Sequence, residues 1–73
     1  MNTPYENLAN AIIVQAVKDY RKVLRTLSLY PHNRSAQYER RSIEHFFRSD
    51  YFSVLTNLNP ETLIVRLNKE VAV

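Results

Sequence analysis

The chain contains no glycine and no cysteine in 73 residues, and each absence removes a group of functions. Without glycine, the phosphate-cradling loop, the dinucleotide-binding fingerprint and the nucleophile elbow are impossible in their usual forms. Positive backbone angles must fall to residues such as asparagine or be avoided at the turns, which favours helices joined by short connections. Without cysteine there are no disulfides and no thiolate metal sites, so stability has to come from helix packing, with an oligomer interface as a further source. Long apolar runs are missing too. Ala11 to Val14 and the nearby alanines are too short to span a bilayer, and no positively charged leader precedes a cleavable hydrophobic segment. The expectation is a cytoplasmic protein with no membrane partner.

What is present is a modest excess of cations, ten lysines and arginines against seven acids, for a net charge of +3. That balance permits attraction to nucleic acid or to an acidic protein surface without requiring either. A chain this short buries only roughly 60% of the surface that its unfolded form exposes, so one small core is expected.

The longest patterned stretch is Thr3 to Leu27. Thr3 and Glu6 have the spacing of a capping box, and Pro4 fills the first helical position, where its missing N–H costs nothing. Ala9, Ile12, Ile13, Ala16, Val17, Tyr20, Val23, Leu24 and Leu27 recur at threes and fours and form one apolar face. Pro31 then breaks the helix, with Tyr30 expected as an aromatic flap over its end. Asn33 or Ser35, Ser49 and Asn59 are candidate caps for three further helices, the last beginning at Pro60.

These signals predict a single helical domain over 1–73, with helices at approximately 4–29, 35–48, 50–56 and 60–71. The fold class is all-α, a compact three- to four-helix bundle with a long N-terminal helix. Phe46 and Phe47 are about 100° apart around the second helix, so they are expected to pack against different neighbouring helices. Phe52, Leu55, Leu63, Ile64, Leu67 and Val71 should complete the core.

Opposite the apolar face of the first helix run Lys18, Arg21, Lys22 and Arg25. Long cationic side chains over about two helical turns suit successive phosphates, where they supply charge and hydrogen bonds without reading sequence. Arg41 and Arg48 on the second helix, with Arg34, are candidates to widen this nucleic-acid-binding surface for DNA or RNA. Tyr38, beside Arg41 and His45, is the candidate for stacking on an exposed base. A helix-turn-helix would place Arg40, Arg41, Arg48 or Asn57 near DNA. The short helix, however, offers Tyr51, Ser53 and Val54 rather than an array for base edges, so nonspecific phosphate contact is favoured.

Catalytic, metal and cofactor sites are not expected. His32 and His45 have no cysteine and no ligand pattern around them. Ser42, His45 and Asp50 supply the chemical types of a triad without its approach geometry or an oxyanion hole. Glu39, Glu44 and Asp50 are instead placed to pair with Arg40, Arg41 or Arg48. Two alternatives compete with the phosphate reading. One is a protein-interaction module regulating a host or phage machine through an acidic partner surface or through exposed Val14 or Val65. The other is a self-associating structural protein in which an oligomer covers Val14, Val54 and Val65.

The strings Ala11-Ile12-Ile13-Val14-Gln15-Ala16-Val17-Lys18-Asp19-Tyr20-Arg21 and Ser42-Ile43-Glu44-His45-Phe46-Phe47-Arg48-Ser49-Asp50-Tyr51-Phe52, followed by Pro60-Glu61-Thr62-Leu63-Ile64, are spread between residues 11 and 64, over most of the chain. In these it resembles small uncharacterised helical proteins of Gram-positive bacterial phages and mobile elements. The resemblance implies an intracellular accessory protein and brings no catalytic residues with it.

Overall fold

The computed structural model describes residues 3–72, Ala72 by its backbone alone. It is an all-α bundle of four helices in the order α1 (Pro4–Leu29), α2 (Arg34–Phe47), α3 (Asp50–Leu55) and α4 (Pro60–Ala72). Every start is set by a side-chain cap of the same type. Thr3 Oγ1 accepts from the Glu6 amide at 3.1 Å, Asn33 Oδ1 from Ala36 at 2.9 Å, Ser49 Oγ from Phe52 at 3.2 Å and Asn59 Oδ1 from Thr62 at 3.1 Å. Each cap satisfies an amide that the first turn would otherwise leave without a partner. Pro4 and Pro60 occupy first helical positions, and no described residue has a positive φ. The glycine-free turns are therefore built in ordinary backbone conformations.

α1 runs 26 residues, about 39 Å at the usual helical rise, and sets the 42 Å long dimension of the molecule. The other three helices all pack on it, and α2 also meets α3. Its core stripe places Ile13, Tyr20 and Leu24 against Phe47 of α2, Phe52 of α3, and Ile64 and Leu67 of α4. Tyr20, Phe47 and Phe52 are fully buried, each worth about 1.5–3 kcal/mol relative to an exposed side chain.

The Phe47 ring lies 5.5 Å from both Tyr20 and Phe52, edge-on to each, a preferred arrangement for aromatic quadrupoles. Phe46 is only half-buried and reaches Tyr51 and Phe52 of α3 at 6.1 and 5.7 Å. The two neighbouring rings thus diverge only in part, because both touch Phe52 while Phe47 alone meets Tyr20. Tyr30 does not form a flap. It is 65% exposed, because half-buried Leu27 is the last side chain of α1 to reach the interior. The Tyr30 backbone serves the turn instead, its N–H donating to Thr26 O at 2.8 Å and its carbonyl accepting from Asn33 N–H at 3.1 Å.

Candidate nucleic-acid interface

Lys18, Lys22 and Arg25 recur at i, i+4 and i+7 on α1 and are all exposed. They lie about half a turn around the helix from Tyr20 and Leu27, so the packing that buries the core face fixes this strip outward. Their α-carbons span about 10 Å along the axis. None of the three takes part in an ion pair among the described residues.

Arg21 leaves that strip. Its Nε donates to Glu70 Oε2 at 2.8 Å and its Nη2 to Glu70 Oε1 at 3.1 Å, tying α1 to α4. The paired charges hold the Glu70 carboxyl below its ordinary range and raise Arg21. Arg48 is engaged as fully. It forks onto Glu61 at 2.7 and 2.9 Å and lies 3.8 Å from Glu44, lowering the Glu61 carboxyl in the same way. Such planar two-bond pairing is the geometry that guanidinium groups favour. Of the seven cations expected at the interface, Arg21 and Arg48 are therefore neutralised by acids of α4.

Arg41 is exposed and without an ion pair among the described residues, but it belongs to another part of the surface. It borders a shallow depression with Tyr38, Ser42 and His45. The groove between α1 and α2 is lined on one side by Asp19, Lys22 and Thr26 and on the other by Asn33, Ser35 and Glu39. Its two carboxylates separate the α1 strip from the outer face of α2. Farther along the same cleft, Ile12, Ala16, Ile43 and Phe46 line an open apolar groove of about 500 Å³, at whose edge Gln15 Nε2 donates to Asp19 Oδ1 at 2.9 Å.

A second polar cluster contains the expected Arg40–Glu44 pair and extends it to α1 and α4. The Tyr20 hydroxyl donates to Glu44 Oε2 at 2.5 Å and accepts from Asn68 Nδ2 at 3.0 Å. Arg40 adds bonds to Glu44 Oε2 at 3.2 Å and Asn68 Oδ1 at 3.4 Å, while Asn68 Nδ2 also donates to the Ile64 carbonyl at 2.8 Å. Burial, followed by the Glu44 carboxylate, raises the Tyr20 hydroxyl above its ordinary value and keeps it neutral. With Tyr20 at 0% exposure no substrate reaches that hydroxyl, so the cluster acts as a clamp between α1, α2 and α4. Two signals point to it in the sequence: a tyrosine in the middle of an apolar stripe needs a polar partner, and Asn68 adjoins the inward face formed by Ile64, Leu67 and Val71.

Among the described residues there is no group of three or more histidines, cysteines or acids that could hold a metal ion, and no helix is long and apolar enough to cross a membrane. Val14, Val54 and Val65 are at least half exposed. Comparison with protein-family models, with curated proteins and with solved structures finds no match to this chain.

Proposed function

We propose that this is a non-enzymatic, cytoplasmic accessory protein of a phage or mobile element that holds nucleic-acid phosphates on the outward strip of α1. The observation that carries the reading is the trio Lys18, Lys22 and Arg25, exposed, unpaired among the described residues and aligned on the helix against which every other helix packs. Three flexible cations at this spacing contact neighbouring phosphates and release condensed counterions, which gives affinity without base readout. α1 is held on its inward side by the aromatic core and the Tyr20 clamp, so the strip binds as a rigid edge rather than by reshaping itself.

The test is binding of labelled duplex and single-stranded DNA and RNA at low salt by the native chain and by a Lys18→Gln/Lys22→Gln/Arg25→Gln variant. The three side chains make no ion pair among the described residues, so helix content is expected to survive while affinity falls for every nucleic acid alike. Failure of the native protein to bind any of them at low salt, together with retention on an acidic protein, would replace this reading with that of a protein-interaction module.

A further inference from the structure

α2 carries a second outward strip that the α1 reading does not use. Arg34, Tyr38, Arg41 and His45 follow one another at i, i+4, i+7 and i+11 and are all exposed, on the side of α2 opposite buried Ala36 and Phe47. We infer that this strip is a binding site for single-stranded nucleic acid, with a base stacked on Tyr38 and the flanking phosphates on Arg34 and Arg41.

Charge complementarity is the first support. Arg34 and Arg41 have no ion pair among the described residues, and the acids of their own helix are directed elsewhere. Glu39 lines the groove toward α1, and Glu44 is engaged by Tyr20 and Arg40. The strip therefore presents cations with no carboxylate among them.

The second support is the tyrosine. Tyr38 is 72% exposed and makes no ring–ring contact among the described residues, in contrast to Tyr20 and Tyr51. Its ring is open to a planar ligand. It sits about 6 Å along the axis from Arg34 and about 4.5 Å from Arg41, so a base lying on the ring leaves its neighbouring phosphates within reach of long arginine side chains on either side. Ser42 and His45 border the same depression as Tyr38 and Arg41 and supply hydrogen-bonding groups for a base edge or sugar. A base inside a duplex cannot offer its face to such a ring, whereas an unstacked one can, and aromatic stacking flanked by cations is the usual arrangement for single strands.

The experiment titrates labelled oligo-dT, oligo-rU, a duplex of the same length and poly-glutamate with the full chain at low salt, using the native protein, Tyr38→Ala, Tyr38→Phe and Arg34→Gln/Arg41→Gln. Tyr38→Ala is expected to weaken single-strand binding about fivefold or more, with Tyr38→Phe within twofold of native and duplex binding unchanged. The double arginine variant should weaken single-strand binding as well. An unaltered affinity in Tyr38→Ala, an equal loss on single strand and duplex, absence of single-strand binding, or a Tyr38-dependent preference for poly-glutamate would each overturn the inference. Repeating the Tyr38 comparison in the Lys18→Gln/Lys22→Gln/Arg25→Gln background separates the two strips: a Tyr38 effect that survives there stands whether or not α1 binds phosphate.

Discussion

The hydroxyl of Tyr20 on α1 donates to the carboxylate of Glu44 on α2 across 2.5 Å and accepts from Asn68 of α4, so a single oxygen atom links three of the four helices. Removing it by Tyr20→Phe keeps the ring against Phe47 and leaves Glu44 and Asn68 each short of one partner. The expected cost is about 1–3 kcal/mol, read as a lower urea midpoint with an unchanged denaturant slope. Tyr20→Ala also removes the ring and should cost about 3–5 kcal/mol.

The same hydroxyl makes stability fall at alkaline pH. Burial and the adjacent carboxylate raise Tyr20 above the 10.0 of an unperturbed tyrosine, so its neutral form is favoured in the folded state. That contribution is fully present below about pH 10 and disappears as pH climbs through the raised folded value. Urea midpoints should therefore decline above about pH 10 in the native protein, and part of the decline should be missing in Tyr20→Phe.

At the acid end the exposed pairs act in the opposite sense. Arg48 holds Glu61, and Arg21 holds Glu70, below the ordinary 4.5, so both carboxylates favour the folded state above that value and lose their effect as pH falls through the lowered one. Arg21→Gln should reduce the acid-side slope of the midpoint, and high salt should reduce it in the native chain.

Phe47→Ala is expected to be as damaging as Tyr20→Ala. The ring is fully buried and lies between Tyr20 and Phe52, so its loss should cost about 3–5 kcal/mol. A domain of this size has about 4–11 kcal/mol in total. Thermal unfolding followed by circular dichroism should show a large drop in midpoint. Phe46→Ala, at a half-buried site, should cost less.

These features differ in how far the sequence reveals them. α1 is legible because Thr3 and Pro4 mark its start, Pro31 its end, and the recurrence of apolar residues its inward face; all three signals are local. The short α3 is legible for the same reason, through Ser49 and Phe52. The local pairs of Glu44 with Arg40 and Arg48 are legible from their i,i+4 spacing, but the long-range partners of the charged residues are not. Arg21 and Glu70 are 49 positions apart, and only the folded path of α4 brings them together; helical spacing places Arg21 with Lys18 and Arg25 and gives no sign that an acid covers it. Arg48 is hidden from the pattern in the same way by Glu61. Tyr38 differs, because no tertiary bond captures it and its local neighbours Arg41 and His45 remain its neighbours in space.

The most direct measurement of the phosphate-binding reading is the salt dependence of duplex binding by the native chain and by Lys18→Gln/Lys22→Gln/Arg25→Gln. If the three cations each meet a phosphate, the slope of log affinity against log salt becomes shallower by about 2.7 in the variant, and those contacts alone weaken native binding by about 40-fold between 50 and 200 mM salt. Parallel slopes for the two proteins, or no native binding at 50 mM, would contradict the account.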